Sequence, residues 1–89
     1  MERYGVALFY STQDAMEMEA ATKERQMKIR IIPTPEKIYA SCGFSLKYTL
    51  GDEGALAALL QEKKIQCEGF YHARQEGLTV TYEQIKELQ

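Results

Sequence analysis

The 89-residue sequence predicts one α+β domain in which two helices cover one face of a four-stranded antiparallel sheet. Three observations lead there. An almost uncharged aromatic and branched run opens the chain, helical stripes follow two of the extended segments, and other apolar residues alternate as strands do. A chain of this length supports one core, so residues 1–89 are read as a single domain. Its core spans about 4–74, and 75–89 form a short C-terminal extension.

Residues 4–10 (YGVALFY) carry no charge and read as a central strand covered on both faces. Ser11 then offers a hydroxyl cap, and Asp14 suits the positive end of a helix running to about Gln26. Ala15, Met18, Ala21 and Thr22 recur at helical spacing as its core face. Residues 27–32 (MKIRII) alternate apolar and basic, as a half-wet strand does, and Pro33-Thr34-Pro35 stops them. After a loop over 36–43, Phe44, Leu46 and Tyr48 alternate with Ser45, Lys47 and Thr49 in a third strand.

Gly51-Asp52 turns the chain into a helix over 53–64, with Leu56, Leu59, Leu60 and Lys63 on one stripe. Extended structure resumes from Ile65 to about Arg74, and Gln75-Glu76-Gly77 turns again. Thr81 and Gln84 stand at capping-box spacing, which predicts a short final helix from Tyr82.

The order β-α-β-β-α-β, with right-handed crossovers, favours a ferredoxin-like sandwich with strand order 4-1-3-2. Its second face is left open, or partly covered by the tail or a partner. Such a fold hosts many functions and argues for none by itself.

Composition narrows the classes. A formal net charge of −2 steers the chain towards neither nucleic acid nor an anionic membrane. No apolar run approaches the ~20 residues that span a bilayer, and the N-terminus lacks a signal-peptide core. Lys23, Arg25, Lys28 and Arg30 read as a solvated basic surface near a helix end. The two cysteines, Cys42 and Cys67, match no disulfide scaffold or zinc pattern. The expectation is a cytoplasmic protein with reduced thiols, no metal and no cofactor. At this size, dimerisation or docking on a partner is a natural way to bury more surface.

Cys42 is the one plausible site of chemistry. It lies in Ser41-Cys42-Gly43, where the glycine permits positive φ or a close approach that leaves the sulfur accessible. Strands one and two run the same way, so this loop lies at the sheet end where the first helix begins. Cys42 then faces the N–H groups at Ser11 and Thr12, and a helix N-terminus stabilises a thiolate. Thr34, Lys37 and Ser41 are available neighbours in the loop.

The stretch Phe9-Tyr10-Ser11-Thr12, a helix with Ala15 and Glu19, Ile32-Pro33-Thr34-Pro35, Ile38 and Ser41-Cys42-Gly43 resembles the DUF3343 family of selenium/sulfur carrier-like proteins. The resemblance covers about residues 4–70. It implies a carrier holding selenium or sulfur on Cys42 as a persulfide-type adduct, with sulfur- or selenium-donor and acceptor proteins as partners. Pro33, Pro35 and Gly43 would shape the loop, and Ser11 and Thr12 would match the helix start. The chain departs from the pattern at Gln26-Met27-Lys28, where many members have a Gly-centred turn.

The remaining candidates read as structure. Cys67 is filler after the second helix, near the opposite end of the sheet from Cys42, which makes a disulfide between them geometrically poor. His72 reads as a partly exposed strand position, and Asp52 and Glu53 as cap and first-turn residues. Tyr10, Tyr39, Tyr48 and Tyr71 form core or dimer packing rather than a base-stacking surface. No nucleophile, base and oxyanion donor assemble into an enzyme. The alternative to a carrier is a non-catalytic interaction or ligand-sensing module.

Overall fold

β1 (Glu2–Phe9) is the middle strand of a five-stranded sheet in the computed structural model, which describes residues 2–85. Its apolar run is buried on both faces. Ala7 and Phe9 join the core beneath the helices, whereas Val6 and Leu8 pack on the other side. α1 (Thr12–Glu24) starts where Ser11 Oγ accepts the Asp14 N–H at 3.1 Å, so the expected cap is present. Ala15, Met18, Ala21 and Thr22 are its buried residues, as the spacing predicts.

The helix ends in a Schellman turn: Gln26 N–H bonds Lys23 O and Met27 N–H bonds Thr22 O, both at 3.0 Å. Gln26 takes a left-handed φ of 58°, the place usually given to glycine. The turn geometry is thus made at Gln26 without the glycine that adopts it free of strain. Because Met27 is spent on this turn, β2 is short (Arg30–Pro33) and begins three residues later than expected.

β3 (Phe44–Tyr48) places Leu46 and Tyr48 in the helix-side core. A 3₁₀ turn at Leu50–Asp52 leads into α2 (Glu53–Lys63), which buries Leu56, Leu59 and Leu60. The fourth residue of the expected stripe, Lys63, is exposed at the helix end. β4 (Cys67–Glu76) pairs with β1, and Gly77, at φ 62°, turns the chain into β5 (Thr79–Ile85).

β5 corrects the sequence reading. The short helix expected from Tyr82 is a strand as far as Ile85, and residues 86–89 lie outside the described part. Thr79-Val80-Thr81-Tyr82 is a β-branched and aromatic run, and pairing along β4 satisfies its backbone more fully than one helical turn would. The sheet therefore has five antiparallel strands rather than four, in the order β2-β3-β1-β4-β5.

The second face is partly covered, by the tail through Tyr82 of β5 as one of the expected alternatives has it, and also by a loop. Ile38, from the loop between β2 and β3, is buried on Val6 and Leu8, with Tyr4, Ala40, Tyr71 and Tyr82 around it. The tyrosines expected to pack together are dispersed. Tyr48 lies in the helix-side core, Tyr71 on the other face, and Tyr10 and Tyr39 are exposed.

A cysteine held at the start of the first helix

Cys42 sits at the end of the sheet where α1 begins, as the topology predicts. Its Sγ lies 3.4 Å from Thr12 Oγ1, in the first turn of α1, and accepts the Phe44 N–H at 3.3 Å. The expected facing of the Ser11 and Thr12 N–H groups is not seen: among the described residues neither N–H bonds the sulfur, and the helix start meets it through the Thr12 hydroxyl. The expected accessibility fails: Cys42 is only 5% exposed. Gly43 does not open the site, having no positive φ and empty space where a Cβ would stand.

The loop is closed by its own polar groups. Thr34 N–H bonds Gly43 O at 2.9 Å, drawing the two ends together. Thr34 Oγ1 donates to Cys42 O at 3.0 Å and lies 2.7 Å from the buried Ser45 Oγ. Pro33 completes β2, and Pro35 O receives the Ile38 N–H at 3.0 Å in a tight turn. Lys37, expected near the sulfur, instead donates to Val80 O on β5 at 2.7 Å. None of Thr34, Lys37 and Ser41 has a hydrogen bond to the sulfur among the described residues; Thr12 and Phe44 do.

A residue that sequence reasoning missed holds the loop beside the cysteine. The register between β1 and β4 slips at Leu8/Phe9, which pair with Gly69 and Cys67, leaving Glu68 as the bulged residue. The Glu68 carboxylate accepts both the Ser41 N–H (2.9 Å) and the Ser41 hydroxyl (2.7 Å). Glu68→Ala removes two charge-assisted bonds from the loop. Alkylation of Cys42 by iodoacetamide, followed by mass spectrometry, is expected to accelerate roughly tenfold, the rate equivalent of about 1.4 kcal/mol. An unchanged rate would show that the Glu68 clamp does not control access.

Cys67 lies at the same end of the sheet as Cys42, contrary to the expectation. β4 runs antiparallel to β1, so it begins where β1 finishes, opposite Phe9. Its thiol is buried and donates to Leu8 O at 2.9 Å; burial pushes its pKa from 9.0 up to about 11. Both thiols are free.

The second polar cluster lies at the other end of the sheet. Glu53 Oε2 accepts the Tyr48 hydroxyl at 2.6 Å and meets His72 Nε2 at 2.5 Å. Glu53 is a first-turn residue of α2, as expected, but its carboxylate also joins β3 to β4. Asp52 occupies the N-cap position without a side-chain capping bond. Gly5 stands between Tyr48 and His72 in the register, and the Tyr48 ring lies over it. Burial and the bond to Glu53 both hold the Tyr48 pKa far above the usual phenol range. His72 is opposite Gly5, three residues down β1 from the Leu8–Ser45 pair beside the Cys42 loop, or about 10 Å along the strand. Cys42 and His72 therefore form no catalytic pair.

These features define a small α+β domain that holds one cysteine, under a clamped loop, at the start of a helix. The chain belongs to the family described as "Putative Se/S carrier protein-like", whose model matches residues 4–72. It is also 30% identical, over 66 residues, to an uncharacterised protein of Methanocaldococcus jannaschii. The match covers 74% of this chain and 33% of that protein, so the chain spans about a third of the length of this relative. No solved structure matches. No helix among the described residues is long and apolar enough to cross a membrane.

Proposed function

We propose that this domain is a non-enzymatic carrier of sulfur or selenium, held on Cys42 as a persulfide-type adduct and passed between a donor and an acceptor protein. The observation that carries the reading is the pair of polar contacts on the sulfur. The Phe44 N–H and the Thr12 hydroxyl both lie within hydrogen-bond distance of Sγ, so two groups are placed to donate to the sulfur while it takes up or releases an outer atom. Membership of the carrier-like family supports the same assignment.

In the loading step, the Cys42 thiolate attacks the terminal sulfur of a persulfide on the donor. A new S–S bond forms, the donor's S–S bond breaks, and the donor cysteine leaves as a thiolate. In delivery, an acceptor nucleophile attacks the outer sulfur and Cys42 is restored as a thiolate. Selenium follows the same route from a donor selenosulfide. Neither step requires an external oxidant, because the transferred atom is already at the zero-valent level.

Since Cys42 is covered, loading requires the loop to lift or a docked partner to displace it. Tyr10 and Phe44 flank the site and are 49% and 43% exposed, which gives a partner apolar surface to grip.

Incubation with a cysteine desulfurase carrying a persulfide is expected to add one sulfur atom, removable by dithiothreitol, in the intact-mass spectrum. Cys42→Ser should abolish the adduct, and Cys67→Ala should retain it. An adduct persisting on Cys42→Ser would overturn the assignment.

A further inference from the structure

The largest cavity among those described lies at the end of the sheet away from Cys42. It encloses about 550 Å³ between the end of α1, the start of β2 and the adjoining ends of β1 and β3. Five cationic residues line it: Arg3, Lys23, Lys28, Arg30 and Lys47. The whole chain has 11 lysines and arginines and a formal charge of −2, so nearly half of its positive side chains converge on one concavity of a net-negative protein.

Glu2 is the one acid in the lining, and it pairs with Lys47 at 3.6 Å. No ion pair among the described residues engages Arg3, Lys23, Lys28 or Arg30. By contrast, Arg25, from the same basic stretch, is paired with Glu62 on α2. The solvated surface expected from the sequence is thus divided: one member is neutralised, and three line the cavity with two residues distant in sequence.

Sheet register sharpens the point. Arg30 and Lys47 stand directly opposite each other on β2 and β3. Like charges in that position repel and destabilise a strand pair. A bound anion would remove that repulsion. Lys47 is partly accounted for, since its ammonium lies 4.2 Å from the Tyr4 ring centroid and pairs with Glu2, whereas Arg30 has no ion pair among the described residues.

We infer that this cavity binds a small molecule carrying two or more phosphate groups, of the nucleoside diphosphate or triphosphate class. Its volume falls in the range of small-molecule sites. Arg3 and Arg30 supply guanidinium forks that match phosphate oxygens in pairs, and the lysines supply point charges around them. Tyr4, Met27 and Ile29 give the cavity an apolar part suited to the uncharged portion of the ligand. A long nucleic acid would instead call for a stripe of cations tracking a backbone, whereas these surround a single hollow. The inference is independent of the chemistry at Cys42.

Calorimetric titration of the full chain with ATP, ADP and inorganic phosphate, in 50 mM and 500 mM salt, tests it. Saturable one-to-one binding of ATP and ADP is expected at low salt. Phosphate should bind at least tenfold more weakly, and high salt should weaken all three. Lys28→Ala/Arg30→Ala is expected to weaken ATP binding at least tenfold with an unchanged circular dichroism spectrum, whereas Arg25→Ala should bind as the parent does. Lys23→Ala, on the helix end, provides a separate variant expected to weaken binding several-fold. Absence of saturation at 1 mM nucleotide, equal binding by the double variant, or tighter binding of an acidic peptide or an oligonucleotide than of ATP would each overturn the inference.

Discussion

Gly5→Ala is expected to lower stability by about 3 kcal/mol and the melting temperature by the order of 15 °C. A Cβ built on Gly5 lies 2.1 Å from Tyr48 Cζ and 2.3 Å from Cε2, far below the 3.0 Å that real Cβ atoms essentially never breach. The ring cannot retreat cheaply. It is 1% exposed, packs edge-on against Phe70 with centroids 6.2 Å apart, and is tied to Glu53 through its hydroxyl. Pushing it aside breaks the hydrogen bond and the packing together, which is why the effect exceeds that of one added methyl group in a looser core. Urea denaturation of the variant measures this, and a loss under 1 kcal/mol would show that the ring has room to move.

Alkaline unfolding should report the buried Cys67. Below pH 9 its thiol is protonated in both the folded and unfolded chains, so its contribution is fully present. Between pH 9 and about 11 the unfolded chain releases the proton while the folded chain keeps it, and stability falls. The expected loss across that window is about 1–3 kcal/mol. From pH 10 upward Tyr48 adds to the decline in the same sense, because its folded form also holds the proton more tightly than the unfolded one. Urea midpoints between pH 8 and 11 should fall less steeply in Cys67→Ala than in the parent. Identical slopes would mean that Cys67 is not the group responsible.

The parts of this fold legible in the sequence are those set by local periodicity and local hydrogen bonding. The Ser11 cap, the Ala15–Met18–Ala21–Thr22 face and the Leu56–Leu59–Leu60 stripe each depend on neighbours within a few residues. β5 was masked because Thr81 and Gln84 imitate a helix start, and only pairing through the Gly77 turn decides the conformation. The neighbourhood of Cys42 with the first turn of α1 followed from chain direction alone. Its burial did not, since the loop around it is held by contacts between residues apart in sequence, Thr34 on Gly43 and Ser41 on Glu68, 27 residues away. The Tyr48–Glu53–His72 cluster and the convergence of Arg3 and Lys47 with the basic stretch are likewise products of register, for which a single sequence carries no local sign.

The bond from Thr34 N–H to Gly43 O also limits how far a cargo could travel. It cinches the loop at its base, while Ile38 beneath the sheet and Ser41 on Glu68 anchor its length. A sulfur mounted there has no swinging arm. It can surface by the displacement of a few side chains, but it cannot sweep between two distant catalytic centres. Delivery would then depend on partners that project their own reacting group into this end of the domain. Each would have to release the domain before the next arrives, making the exchange sequential and confining both partners to one small, shared footprint.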